Sequence, residues 1–299
     1  MENKSKAKDR IEKLKKEINH HRYLYHVLDS PEISDSALDS LKKELFDLES
    51  EYPSLRTMDS PTQRVGGLPL KKFAKVNHST PMLSFNDAFS VSDMESWLER
   101  LQNYLGEKVN EEFYCELKID GLAMELIYEN GIFKEASTRG DGNIGEDVTQ
   151  NLKTVEAIPL SLSSSLNSLP DNLIVRGEVF LSKKEFERIN KELSHAGQKV
   201  YANPRNLAAG TIRQLDPKIP ANRKLDSFQY SLVTDLGQKK HSDEHDILKK
   251  LGFKINTHNK ICNGLKEVIE FRNYWEEHRG GLPYEVDGVV VILNNIQKL

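Results

Sequence analysis

The sequence predicts an α+β protein, with a small helical hairpin ahead of a larger domain of antiparallel sheets and helices. Three observations carry this. Apolar residues recur at helical spacing through roughly the first fifty residues. Further on, short strand-like runs take over, two of them joined by Glu129-Asn130-Gly131, a strong hairpin-turn signal. Strands and helices then follow without the regular alternation that a parallel sheet requires.

Taken in order, residues 3–28 read as a helix, because Ile11, Leu14, Ile18 and Tyr25 fall on one face. Asp29-Ser30-Pro31-Glu32 breaks it. Ser34 and Asp35 are suited to cap a second helix, whose apolar stripe is Leu38, Leu41, Leu45 and Leu48 and which Pro53 ends. The stretch from Pro53 to about Pro81, rich in Pro, Gly, Ser and Thr, reads as a linker or wrap. Ser92-Asp93 is expected to cap a third helix through Trp97, Leu98 and Leu101. Strands are expected at Phe113–Leu117, Leu122–Tyr128, Ile132–Arg139, Leu173–Phe180, Phe228–Val233 and Val289–Leu293. Helices are expected near Lys183–Ser194 and Asp243–Leu251, and a Ser/Leu loop at Ser161–Ser168. Residues 1–70 form the expected first unit and 71–299 the second.

The 299 residues suffice for a full core without covalent staples. With 37% hydrophobic and 29% charged residues, the composition is that of a globular domain and not a disordered one. No apolar run approaches the roughly 20 residues a membrane span needs. The charged start, Met1 to Lys16, lacks a signal-peptide core, so a cytoplasmic location is the expectation. Cys115 and Cys262 form no metal-binding pair and read as small buried hydrophobes. The net charge of −4 argues against a broad phosphate-gripping surface, which requires a basic excess.

Glu116-Leu117-Lys118-Ile119-Asp120-Gly121 is the first candidate for chemistry. Alternate strand residues share a face, so Glu116, Lys118 and Asp120 point one way. A lysine set among carboxylates in a pocket can serve as an amine nucleophile, and Gly121 would let a ligand come close to the backbone. A solvated salt-bridge ladder fits the same residues. Thr138-Arg139-Gly140-Asp141-Gly142 suits a loop against phosphate or ribose, or a plain turn. Arg176 and Glu178 share a strand face, where a cross-strand ion pair is the simpler reading. Arg205 and Arg213 suit phosphates or ordinary surface, and Glu285-Val286-Asp287-Gly288 opens an apolar strand.

In their order and spacing, these motifs, with Ala202-Asn203-Pro204-Arg205-Asn206 and Val286-Asp287-Gly288-Val289-Val290, resemble the N-terminal part of bacterial NAD-dependent DNA ligases. The resemblance runs from about His20 to Asn294. It implies a helical module that recognises the nicotinamide mononucleotide half of NAD, then an ATP-grasp-like nucleotidyltransferase domain. It further implies Lys118 as the nucleophile that attacks the α-phosphate of NAD. Lysyl-AMP forms, and its AMP passes to the 5′-phosphate of a DNA nick, with Mg²⁺ expected. By position, Glu116 contacts adenine, and Arg139 and Glu178 bind on the ribose side. Ser84 and Phe85 match the adenosine-side loop. Tyr25, His26, Asp35 and Asp39 match residues that hold nicotinamide mononucleotide. Asp120, Arg205, Arg213, Arg279 and Asp287 match positions near the phosphates and the DNA end. No residue is assigned as a protein ligand of a metal, and a monomer is expected.

The chain departs from the family pattern in three ways. Leu38 stands where the family has a tyrosine, which would leave one wall of the nicotinamide sandwich aliphatic. Ile292 stands where the family has a lysine that contacts the α-phosphate. The sequence ends at Leu299, where the family continues into an oligonucleotide-binding barrel, a zinc segment, helix-hairpin-helix repeats and a C-terminal module. Nicked double-stranded DNA is thus expected as a partner mainly through those further domains. A degenerate NAD- or AMP-binding module without turnover is the alternative that Ile292 and Leu38 suggest. An ATP-dependent nucleotidyltransferase sharing the Lys-x-Asp-Gly core is another, which the Tyr25-His26 and Asp35/Asp39 hairpin opposes.

Overall fold

The structure, a computed structural model, describes residues 2–64, 69–109, 112–163 and 169–298. Helices α1 (Glu2–His26) and α2 (Asp35–Glu51) form the hairpin. Ser34 caps α2 by accepting a hydrogen bond from the Ala37 N–H, as a short hydroxyl side chain does at this position. Ile11, Leu14 and Ile18 of α1 meet Leu38 and Leu45 of α2 in a small separate core. The segment after α2 wraps back onto the hairpin. Lys15 donates to Thr57 and Asp59, and the buried Glu49 accepts from Ser60 and Thr62.

After the short strand β1 (Lys75–Asn77), helix α3 (Val91–Leu105) begins at Ser90 and not at Ser92. Asp93 is the reason. It sits three residues into the helix and accepts from the Ser90 N–H while its own N–H donates to the Ser90 hydroxyl, a reciprocal capping box. Strand β2 (Glu112–Ile119) runs into β3 (Leu122–Glu129) and β4 (Ile132–Thr138). Asn130 and Gly131 both take positive φ, 50° and 76°, as a two-residue hairpin turn demands. There follow β5 (Ile144–Glu146), the one-turn helix α4 (Thr149–Leu152), β6 (Asn172–Leu181) and α5 (Lys183–His195). Then come α6 (Pro204–Ile212), α7 (Lys218–Ala221), β7 (Leu225–Leu232) and α8 (His241–Lys250). Strand β8 (Lys260–Asn263), helix α9 (Leu265–His278) and β9 (Val286–Leu293) follow, and a short 3₁₀ turn (Ile296–Lys298) ends the described elements.

The strands pair antiparallel in three sheets, ordered β1-β5, β8-β2-β9 and β4-β3-β6-β7. The three-stranded sheet packs one face on α3 and α9 through Phe113, Cys115, Leu117, Phe271 and Trp275. Both cysteines are unpaired thiols in that core. The four-stranded sheet builds the larger core, centred on Leu126, Tyr128 and Val175. The loop expected at Ser161–Ser168 lies outside the described residues from 164 to 168. Before that gap, Ser161 bridges to Ile132. The chain crosses between the two larger sheets at Lys118–Gly121, and this crossing positions the site.

Candidate active site

Odd-numbered β2 residues face the α3–α9 core, so Tyr114, Glu116 and Lys118 share the opposite face. Against β9, Lys118 pairs with Gly288 and Ile119 with Val286. Asp287 is therefore an extra residue in that ladder. A bulge of this kind re-aims a side chain, and here the Asp287 carboxylate accepts from the Lys118 ammonium at 2.6 Å. The Lys118 hydrogen bond and charge hold the Asp287 carboxyl below its ordinary range.

Gly121 is needed for a nearby strand and not, as the sequence suggested, for a ligand. A Cβ there would lie 2.3 Å from the Val179 carbonyl oxygen and 2.8 Å from Glu178 Cγ, so β6 occupies the space. That approach brings Glu178 to the crossing. Burial pushes the Glu178 carboxyl up to about 7, and the Asp120 charge adds to this against the pull of Arg205, Lys118 and Arg139. Asp120 accepts from Arg205 Nη1 at 3.2 Å. Arg205 is placed by the start of α6, where Asn203 caps the helix by accepting from Asn206 and Pro204 supplies the first turn. Lys118, Asp120, Glu178, Arg205 and Asp287 thus converge. Arg139 and Arg279 act on the same group through their charges, and Arg279 also donates to the Val286 carbonyl at 3.1 Å.

The loop after β4 is held by its own residues. Asp141 accepts from the Asn143 and Ile144 N–H groups, so its carboxylate closes a turn. The exposed Arg139 side chain makes no hydrogen bond or ion pair among the described residues. Arg176 forms the cross-strand pair read from the sequence, with the buried Glu125 of β3. Glu125 also bonds the His78 ring at 2.9 Å, and Arg176 donates to the carbonyls of Thr80 and Pro81. This network anchors the base of the loop carrying Ser84 and Phe85, both exposed.

Glu116 is buried and faces α8. Its Oε1 lies 3.4 Å from His241 Nε2 and 2.6 Å from His245 Nε2. Burial alone would raise the Glu116 carboxyl, but the two imidazoles outweigh it and hold the group at about 2. His241 is raised to about 9, burial being overcome by Glu116 and Glu244. The sequence reading passed over this pair of histidines. The signal was their spacing, four apart on one helical face.

Other expected site residues lie apart from Lys118. Among the described residues, no hydrogen bond or ion pair joins Tyr25, His26, Asp35 or Asp39 to the Lys118 group. His26 instead lies close enough to Glu156 and Arg22 for their charges to act on it, and burial depresses its pKa to about 4. Asp35 and Asp39 are exposed. Leu38 is not a wall for a bound ring. It is 6% exposed and packs into the hairpin core. Arg213 pairs with Glu146 at 2.9 Å. Ile292 is buried opposite Tyr114 on the Glu116–Lys118 face, and Lys298 pairs with Glu107. No helix among the described residues is long and apolar enough to cross a membrane.

Two family patterns match. Residues 4–66 fit the DNA ligase-like N-terminal NAD⁺-binding domain, and residues 70–299 fit the NAD-dependent DNA ligase adenylation domain. A DNA ligase of Clostridioides difficile (strain 630) is 48% identical over 294 residues, covering 98% of this chain and 43% of that protein. A DNA ligase of Halalkalibacterium halodurans is 46% identical, over 97% of this chain and 43% of its own length. One of Coprothermobacter proteolyticus is 45% identical, over 98% and 44%. The chain spans less than half the length of these relatives.

Proposed function

This chain belongs to the NAD-dependent DNA ligase family, with the adenylation domain at residues 70–299, and from that premise we propose that it activates AMP on Lys118. With its proton passed to the Asp287 carboxylate, the Lys118 amine attacks the α-phosphorus of NAD. The N–P bond forms as the bond to the nicotinamide mononucleotide oxygen breaks, and that half leaves with the electron pair. The lysyl-AMP then gives its AMP to a 5′-phosphate at a DNA nick, where a 3′-hydroxyl displaces it. The observation that carries this reading is the convergence of Asp287, Asp120, Glu178 and Arg205 on one lysine at a strand crossing.

The residues present suit each need. Asp287 fixes the amine. Arg205 and the unpaired Arg139 offer guanidinium groups to phosphate oxygens. Asp120 and Glu178, close enough for the Asp120 charge to act on Glu178, would offer oxygen donors to Mg²⁺ held together with substrate phosphates. When bound, Mg²⁺ supplies charge neutralisation at the phosphates. Tyr25, His26, Asp35 and Asp39 are proposed to hold the nicotinamide mononucleotide half, and Ser84, Phe85 and Glu116 the adenosine side. Arg213 and Arg279 are assigned to the phosphates and DNA end. Nicked DNA is the proposed partner and the cytoplasm the proposed location.

Incubation with NAD and Mg²⁺ should add one AMP to the intact protein, seen by mass spectrometry, and Lys118→Ala should abolish the addition. A protein that never gains this mass would overturn the activity. The buried Ile292 favours one second reading, a nucleotide-binding module without turnover. Calorimetric binding of NAD with no adduct would support it.

A further inference from the structure

We propose that Glu116, His241 and His245 form a site for a divalent transition metal ion of the zinc class. Their ligand atoms all lie within 4.8 Å of one another, and all three side chains are buried. Two histidines and one carboxylate, leaving a fourth position open, are a donor set that zinc takes. The two histidines come from one helix, in His241-Ser242-Asp243-Glu244-His245. A four-residue offset places both on one helical face, and this His-x-x-Glu-His order recurs in zinc-binding helices. The third ligand comes from β2, across the packing interface, so the site forms only on folding.

The hydrogen bonding leaves a place for the ion. Neither ring nitrogen of His245 has a hydrogen-bond partner, although the residue is 2% exposed. Its Nε2 comes within 2.6 Å of Glu116 Oε1 without the alignment of a hydrogen bond. A buried polar group without a partner is costly and calls for an ion or a water. The Asn259 carbonyl oxygen is a second orphan at the same place, on a side chain whose nitrogen lies 3.5 Å from Glu116. Ion pairs with Glu116 account for His241 and for His245 Nε2, but leave His245 Nδ1 and the Asn259 oxygen unexplained. Tetrahedral Zn–N and Zn–O bonds of about 2.0–2.1 Å separate ligand atoms by about 3.3 Å, so a small rotation of His245 away from Glu116 suffices.

At His241 the outer layer also fits. A histidine that binds zinc through one nitrogen usually has a carboxylate or carbonyl on the other. His241 presents Nε2 to Glu116 and has Glu244 Oε2 3.3 Å from Nδ1. Glu244 is itself held by the Leu232 N–H at 3.0 Å. Glu116 is also proposed above for the adenosine side, so Zn²⁺ and adenine draw on one carboxylate, and Zn²⁺ binding is therefore measured without nucleotide.

The test is titration of chelator-stripped protein with Zn²⁺ by calorimetry and with Co²⁺ by visible absorption. One ion per chain is expected, with the intense d–d bands of a low-coordinate cobalt site and an unfolding temperature raised by Zn²⁺. His245→Leu puts an apolar side chain where the imidazole lacks partners, so it should keep the circular dichroism of the parent and lose the stoichiometric binding. Glu244→Gln should weaken binding by roughly 10–100-fold. The group of exposed His20 and Glu32 with half-buried His21 is the competing location, and His21→Ala should leave binding unchanged. A parent protein that takes up no Zn²⁺, or binding that survives His245→Leu, would overturn the proposal.

Discussion

The Asp287 carboxylate meets the Lys118 ammonium at 2.6 Å because a bulge in β9 turns Asp287 out of the ladder beside its partner. Both side chains are well exposed, 42% for Lys118 and 57% for Asp287. An exposed pair contributes about 0–1 kcal/mol to stability, so structural need does not explain the bulge. Asp287→Asn is expected to change the unfolding free energy by less than about 1 kcal/mol. It should slow formation of the AMP adduct by roughly 10²-fold, as loss of a positioned acid–base partner does. Denaturant melts and a mass-spectrometric time course read the two effects. A variant that is strongly destabilised yet reacts at the parent rate would remove Asp287 from the reaction.

Glu178 makes stability fall with rising pH. Its folded value of about 7 lies above the ordinary 4.5, chiefly through burial. Between those values the folded state holds more protons than the unfolded one, so unfolding becomes easier as pH rises. The loss is complete above the folded value and amounts to at most about 3 kcal/mol, at about 1.36 kcal/mol per pH unit. Glu178→Gln removes the ionisation, so it should match the parent near pH 4 and exceed it in stability at pH 8. Chemical denaturation at the two pH values measures this. Equal stabilities at pH 8 would show that Glu178 ionises without cost.

Arg64 joins the hairpin wrap to the larger domain. It is 4% exposed and donates to the carbonyls of Lys153, Val155 and Ile158, with Nε 3.3 Å from Glu156. Arg64→Met keeps the stem but strands three acceptors and a carboxylate. Breaking a buried pair on one side costs about 3–5 kcal/mol. Limited trypsin digestion should show cleavage after Arg56 that the parent resists. Unchanged melting and digestion would mean that the remaining contacts, such as Arg22 to the Glu156 carbonyl, suffice.

What the sequence made legible was local. The Asn130-Gly131 turn and the Ser34 cap each depend on residues a few positions apart, and both formed where expected. The hairpin and the antiparallel sheets followed from periodicity. Helix α9 was missed although Val268, Phe271 and Trp275 are spaced three and four apart, because it starts at Gly264 without a side-chain cap. Contacts far apart in sequence were not legible. Nothing near Gly121 announces that β6 fills its missing Cβ. Leu38, by contrast, was legible as part of the α2 apolar stripe, and its side chain turns into the hairpin core. Glu116 and the histidines of α8 are separated by more than a hundred residues, and only the helix spacing hinted at them.

Ile292 tests how much the site lacks. It lies opposite Tyr114 on the sheet face that carries Glu116 and Lys118, and Glu116 is paired with Val290, two positions before Ile292. A lysine at 292 would thus enter diagonally to a buried carboxylate, within reach of a long side chain. That carboxylate offsets the cost of burying an ammonium, so Ile292→Lys should fold. If this position supplies a cation to the α-phosphate, the variant should form the AMP adduct up to 10²–10³-fold faster, the range that one such donor commands. It should also push His245 and His241 from Glu116 and so weaken Zn²⁺ binding at that cluster. Single-turnover adenylation and Zn²⁺ calorimetry on the same preparation separate the two effects. A folded Ile292→Lys protein that reacts no faster than the parent would show that the isoleucine is not what limits the reaction.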